Sequence, residues 1–298
     1  MGSIPITRSR IFCGSSRVCG AGDLEILSSD GGDDCSGVRS FPDHAVMTTR
    51  LKLQSPDAPP DLSHVETWVF DLDNTLYHPS ACDLLPSMDR RINEYLCTAL
   101  KLDPDGANAL RQRLWGSYGT TLRGLMELHA IRPDEFLDFV HDIDLSSLTP
   151  NPDLDAALAR LPGRKIIFTN ATEKHALAVM DRLGVTRHFE GIYDVNAAAY
   201  VPKPQAAIYD AFLKRFDVRP QAAAMFEDMA CNLAPAAALG MTTIWIRTER
   251  PNAQVGSDSD YVHYVVEDLA PWLGTVGIAE AVAAVAEEAV ADQGGAPT

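Results

Sequence analysis

Thr67-Trp68-Val69-Phe70-Asp71-Leu72-Asp73-Asn74-Thr75-Leu76-Tyr77 is the stretch that decides the fold. Its first four residues are β-branched, aromatic or aliphatic and read as a short buried strand. The run then gives way to two aspartates, and the apolar spacing turns helical. Ile92, Tyr95, Leu96, Ala99 and Leu100 fall at i, i+3, i+4, i+7 and i+8, which predicts one apolar helix face. Two carboxylates two residues apart point the same way on an ideal strand. Here the chain is leaving the strand, so Asp71 and Asp73 can crowd one small space. Like charges that close repel unless a cation or a proton compensates. Alone, the pair fits an Asx turn or a helix cap equally well.

Downstream, helical spacing continues near 105–117, 121–130 and 134–142, with breaks at Gly119 and Pro133. From about Pro150 helix and strand alternate. Helices are predicted over 153–161, 173–183, 205–216 and 230–239. Strands are predicted at Lys165 to Phe168, near Ile192-Tyr193, at Ala223 to Phe226, at Thr242 to Ile246 and at Val262 to Val266. Such alternation means an α/β fold whose parallel sheet is joined by right-handed crossovers. One strand precedes the helical block and the rest follow it, so the expectation is an open sheet with an all-helical insertion after its first strand. Ligands of such sheets bind beyond the carboxyl ends of the strands.

The flanks differ from this body. Residues 1–63 carry runs such as Ser28-Ser29-Asp30-Gly31-Gly32-Asp33-Asp34 and Ser55-Pro56-Asp57-Ala58-Pro59-Pro60. They hold too little apolar surface to offset the entropy of ordering, so a disordered tail is expected, with Met47 as an alternative start. Residues 276–298 read as an Ala/Glu-rich helix with a frayed end. The expected core is 64–78 with 150–275, and the helical insertion is 79–149.

The net charge of −16 argues against a nucleic-acid polymer as partner, because phosphate backbones select clustered Lys and Arg. Six cysteines, Cys13, Cys19, Cys35, Cys82, Cys97 and Cys231, form no C-x-x-C pair and no disulfide or zinc framework. No apolar run approaches a membrane span, and no secretory pattern opens the chain. The expected location is the cytoplasm, with no membrane partner.

The strand ends hold the chemistry. After Asp71 and Asp73, the second strand ends in Thr169-Asn170, whose hydroxyl, amide and helix-entry N–H groups suit a phosphate. Thr169 could equally cap the following helix. Val201-Pro202-Lys203-Pro204 holds a lysine on stiff, extended backbone, or merely a solvated one. Glu227-Asp228 ends another strand and could also be a cap. Together, four strand ends on one edge carry two aspartates, a threonine, a lysine and an acidic pair. Carboxylates with open positions suit a hard divalent cation such as magnesium.

In this order and placement, Asp71-Leu72-Asp73-Asn74-Thr75-Leu76, Thr169, Lys203 and Glu227-Asp228 resemble the four signature motifs of the haloacid dehalogenase superfamily of phosphatases, across about residues 66–270. The resemblance implies a Rossmann-like core and makes the insertion at 79–149 a helical cap. It implies Asp71 as nucleophile, forming an aspartyl-phosphate, and Asp73 as general acid and base, with a pKa that crowding would raise. It implies Mg²⁺ held by Asp71, the Asp73 backbone carbonyl and Asp228, with Glu227 direct or through water. Thr169 and the Asn170 backbone would hold phosphate oxygens, and Lys203 would neutralise charge.

A narrower resemblance lies in Tyr118-Gly119-Thr120-Thr121-Leu122-Arg123-Gly124-Leu125, His141-Asp142-Ile143-Asp144, Leu161-Pro162-Gly163-Arg164-Lys165 and Tyr200-Val201-Pro202-Lys203-Pro204. These are similar to the pyrimidine 5′-nucleotidase branch, which implies nucleoside monophosphates such as UMP and CMP as substrates. Cys231 departs from that branch, where a polar or basic residue is expected. Tyr77, His78, Tyr118, Thr120, Thr121 and Arg123 are the candidate substrate contacts, through stacking and hydrogen bonds to a base. For Thr120 and Thr121 helix capping is an equal alternative, and Trp115 is expected to pack inside the cap. Another small phosphorylated metabolite, such as a sugar phosphate or phosphoglycolate, is the alternative substrate. A catalytically silent binding protein is a further one, and the intact Asp71 and Asp73 pair argues against it.

Overall fold

The computed structural model describes residues 60–276. The tail expected over 1–63 lies outside the described residues except at 60–63, where Leu62 is buried in the core. The terminal helix expected beyond 276 lies outside them too. Among the described residues no helix is long and apolar enough to cross a membrane.

Six parallel strands form one sheet: β1 (Thr67–Phe70), β2 (Arg164–Phe168), β3 (Gly191–Tyr193), β4 (Ala223–Glu227), β5 (Thr242–Ile246) and β6 (Tyr264–Val266). Their order is β3-β2-β1-β4-β5-β6. β1 is therefore central, flanked by β2 and β4, and all four of its residues are buried. The chain winds one way from β1 to β3 and the other way from β4 to β6. The switch point, where open α/β sheets bind ligands, lies between β1 and β4.

Strand side chains alternate between two apolar layers. Trp68, Phe70, Ile167, Phe226 and Ile244 face one layer, covered by α5 (Pro152–Arg160), α6 (Glu173–Leu183) and α9 (Leu269–Thr275). Val69, Ile166, Phe168, Met225 and Trp245 face the other, covered by α7 (Ala206–Phe216) and α8 (Ala230–Ala238). Aromatic stacks fill both: Phe70 on Phe226 at 4.6 Å and Phe168 on Phe212 at 4.9 Å. The result is a three-layer α/β sandwich of Rossmann type.

Four helices intervene between β1 and α5: α1 (Leu84–Leu100), α2 (Pro104–Tyr118), α3 (Thr121–His129) and α4 (Pro133–Val140). Local chemistry sets their starts. Asp103 accepts from the Gly106 N–H with Pro104 at the first helical position, and Thr120 accepts from the Arg123 N–H. Met88, Leu96, Leu110, Leu114, Leu125, Phe136 and Val140 gather into a cluster separate from the sheet layers, joined from the loop after β3 by Val195.

Two expectations change here. α1 buries Leu84, Met88 and Leu96, and Ala99, expected on its apolar face, is exposed. Ile92, Tyr95 and Leu100 pack with Leu96 against the cluster of the insertion, as the spacing predicts, and of the five expected residues Ala99 alone faces out. Trp115 is half-buried and outside the cluster of the insertion, whereas Tyr118 packs on it.

β1 and β2 are joined at their bases by one tight approach. Gly163 has φ +78°, and a Cβ added there would meet the Glu66 carbonyl oxygen at 2.3 Å. That carbonyl accepts from the Arg164 N–H at 2.9 Å, so it cannot yield without loosening the entry to β2. Gly163→Ala is expected to cost about 2 kcal/mol or more through backbone strain and clash, a fall in Tm of roughly 4–8 °C. A thermal melt followed by circular dichroism checks it.

Candidate active site

The carboxyl ends of β1, β2 and β4 converge with the loop after β3. Lys203 Nζ lies 2.7 Å from Asp71 Oδ1 and 2.6 Å from Glu227 Oε2, and donates to the Phe168 carbonyl at 2.8 Å. Lys203 is 2% exposed, so the stiff loop at 201–204 delivers it into the interior and the solvated alternative falls. Asp71 Oδ2 accepts from Thr75 Oγ1 at 3.1 Å. Its backbone N–H donates to the Phe226 carbonyl, so the β1–β4 ladder continues one residue into the site.

Asp71, Glu227 and Asp228 are all buried, and one carboxylate oxygen from each lies within 4.8 Å of the others. Three carboxylates face one buried ammonium. Burial, then the charge of Glu227, pushes the Asp71 carboxyl up to about 7 despite Lys203 beside it. Burial and the charges of Glu227 and Asp71 raise Asp228 strongly as well, with Arg250 opposing them at 3.7 Å. Burial opposes the charged form of Lys203, but Asp71 and Glu227 outweigh it and raise its pKa. An all-oxygen donor set with excess negative charge fits a hard divalent cation. Asn74 supports the fit. It sits in the left-handed region at φ 61°, donates Nδ2 to Asp228 Oδ2 at 3.1 Å, and leaves its buried Oδ1 without a partner among the described residues. A cation-bound water is a donor of the kind that oxygen lacks.

Asp73 lies apart from this trio. Its Oδ1 accepts from Tyr77 OH at 2.7 Å and lies 3.1 Å from His175 Nε2. The expectation that crowding raises its pKa is corrected. Burial does push it up, but the His175 charge and hydrogen bond and the Tyr77 hydroxyl outweigh that and lower it. The two aspartates of the motif are therefore tuned in opposite directions. His175, on α6, stacks on His141, which follows α4, with ring centroids 4.5 Å apart. Burial, then His175, depresses His141 to about 3, so it stays neutral. Sequence reasoning assigned no role to His175, Asn74 or Arg250. A histidine on an apolar helix face gives no local sign that it reaches a carboxylate 102 positions earlier.

The other candidates divide. Thr169 is buried, and its Oγ1 accepts from the Ala171 N–H at 2.9 Å. Asn170 Oδ1 accepts from the Lys203 N–H at 2.9 Å, tying the β2 end to the lysine loop. Thr120 caps α3. Thr121 is buried, and its hydroxyl has no protein hydrogen bond among the described residues. Arg123 pairs with Glu127 along the same helix. Gly119, between Tyr118 and Thr120, abuts the lysine loop: a Cβ added there would lie 3.3 Å from Pro202 Cγ and 3.6 Å from the Lys203 carbonyl oxygen. His78 turns to Ser80 and lines a cavity of about 300 Å³ with Thr75, Tyr77, Asn151 and Asp268.

A family model for haloacid dehalogenase-like hydrolases matches residues 65–240. Similar solved structures include a phosphatase of this kind from Thermococcus onnurineus, 19% identical with TM-score 0.48, over 68% of this chain and 93% of that one. L-2-haloacid dehalogenase from Xanthobacter autotrophicus is 18% identical with TM-score 0.44, over 70% and 97%. 2-Haloacid dehalogenase from Pseudomonas syringae is 18% identical with TM-score 0.44, over 71% and 97%.

The excess charge at the trio generates a prediction that needs no substrate. A divalent cation at about one hundred times its Kd is expected to stabilise the protein by about 2.7 kcal/mol, or roughly 5–10 °C in Tm. Thermal melts in magnesium chloride, against sodium chloride of equal ionic strength, read the shift. Asp228→Asn should lose it, and an equal shift in that variant would place the cation elsewhere.

Proposed function

The chain belongs to the haloacid dehalogenase-like hydrolases, and from that footing we propose that it is a phosphomonoester hydrolase working through Asp71. The observation that carries the reading is Asp73, a second carboxylate two residues after Asp71, held by Tyr77 and His175. A halide departs without a proton, so a dehalogenase has no use for it. An alkoxide leaving phosphorus is strongly basic and does need one.

In the first step Asp71 attacks phosphorus, the phosphorus–ester oxygen bond breaks, and Asp73 gives its proton to the departing oxygen. An aspartyl-phosphate remains. In the second step the Asp73 carboxylate takes a proton from water, the water oxygen attacks phosphorus, and inorganic phosphate leaves Asp71. Lys203, 2.7 Å from Asp71, offsets negative charge as the phosphoryl group arrives. Thr169 and the backbone of Asn170 would bind its oxygens. Asp71, Asp228, Glu227 and the Asp73 backbone carbonyl would hold Mg²⁺. The ion would supply charge neutralisation for the phosphoryl group.

The substrates this reading favours are pyrimidine nucleoside 5′-monophosphates. Support comes from the Tyr118 to Leu125 segment, where helices α2 and α3 meet. Gly119 abuts the lysine loop, so this part of the helical cap would border the phosphate end of the site, and the Thr121 hydroxyl has no protein partner among the described residues. A purine carries a second ring, which fixed cap walls would exclude or which would hold the cap ajar.

Asp71→Asn should keep the fold and lose kcat by about a thousandfold or more. A folded variant with near-normal turnover would refute the mechanism. For specificity, UMP and CMP should show higher kcat/KM than GMP and AMP. Thr121→Ala should change that ratio more than it changes p-nitrophenyl phosphate hydrolysis. Equal kcat/KM for UMP and GMP, or preference for a sugar phosphate, would remove the nucleotidase reading and leave the phosphatase.

A further inference from the structure

Asp73 is held asymmetrically. Both of its hydrogen-bonding neighbours, Tyr77 OH and His175 Nε2, converge on Oδ1, and Oδ2 has no protein partner among the described residues. The His175 side chain is only 1% exposed. Its own position is fixed from two sides. Its backbone N–H donates to Thr172 Oγ1, the residue that caps α6, and its ring lies against the His141 ring at an interplanar angle of 19°. His141 also reaches Thr172 Oγ1 through Nδ1 at 3.1 Å. The imidazole of His141 comes from the end of α4, in the helical insertion, and the His175 imidazole and the Asp73 carboxylate come from the sheet-bearing body.

The geometry points to His175 as a positioning residue for Asp73, with His141 clamping the His175 ring so that seating of α4 on α6 sets which carboxylate oxygen is turned to the substrate. An unrestrained carboxyl group rotates about its terminal torsion, and either oxygen can face the substrate. Two contacts hold Oδ1, so Oδ2 is the oxygen left open to exchange a proton with the substrate. That oxygen then gives the proton to the ester oxygen as its bond to phosphorus breaks, and recovers one from water in the second step. The helical insertion thereby acts on proton transfer through one imidazole pair.

This inference rests on the reading of Asp73 as general acid, and the test separates the two. The measured quantity is kcat/KM, which reports steps only as far as departure of the leaving group. A substrate with a strongly basic alkoxide leaving group, a nucleoside monophosphate, is compared with p-nitrophenyl phosphate, whose phenolate leaves with little protonation. His175→Phe keeps the ring stack and removes the N–H donor. It is expected to lower kcat/KM for the alkyl ester by about tenfold or more and for the aryl ester by less than about threefold, and His175→Gln is expected to recover part of the loss. His141→Ala should move the two substrates in the same unequal way, more weakly. A role confined to packing would lower both substrates equally.

Asp73→Asn is the reference. If it discriminates between the substrates and the histidine variants do not, the positioning role is overturned and the acid reading stands. If Asp73→Asn does not discriminate, the acid reading falls and the inference with it. Should His175→Phe fail to fold, His141→Ala decides alone, because it touches neither aspartate: unequal loss supports the inference and equal loss refutes it.

Discussion

Asp71, Glu227 and Asp228 are packed together at the carboxyl ends of β1 and β4 with one ammonium, Lys203, bonded to two of them. At an effective dielectric near 20, two unit charges 4 Å apart interact by about 4 kcal/mol. Three buried carboxylates and one lysine therefore carry a repulsion that the protein alone does not cancel. The resulting pressure is visible in Asp71 and Asp228, both raised by burial and by their neighbours. A cation relieves it, and so does a phosphoryl group bound together with a cation, whereas a phosphoryl group by itself would worsen it.

Only a stiff frame holds such a cluster. β1 is the central strand, with ladders on both sides and apolar layers above and below. Its last ladder bond, from Asp71 to Phe226, fixes the Asp71 carboxylate against the strand that delivers Glu227 and Asp228. Lys203 arrives from a loop instead. Its accuracy comes from three acceptors for one ammonium and from Asn170, which grips its backbone. Burial without those partners would drive the lysine towards its neutral form.

The motif Asp71-Leu72-Asp73 shows how one local sequence yields two chemistries. The first carboxylate stays in the charged cluster and its pKa rises. The second leaves the cluster for Tyr77 and His175, and its pKa falls. Their two-residue separation explained why both stand near the strand end. It could not show that they would face different partners, because one partner of Asp73 is four residues away and the other is 102.

The alternation of apolar strands and amphipathic helices determined the parallel sheet, the insertion after its first strand and the edge where polar residues collect. Those are consequences of local periodicity, which any short window of sequence contains. The boundaries of β5 and α6 were legible to the residue for the same reason. The exposure of Ala99 near the end of α1 was not, since it depends on which neighbours the helix meets. Lys203, Glu227 and Asp228 were legible as candidates because strand ends can be counted. The tertiary structure alone decided that Lys203 is buried between Asp71 and Glu227, that Asn74 turns towards Asp228, and that His141 and His175 stack behind Asp73. Each of those depends on distances between segments far apart in the chain, and such distances are set by packing and not by the spacing of residues along the sequence.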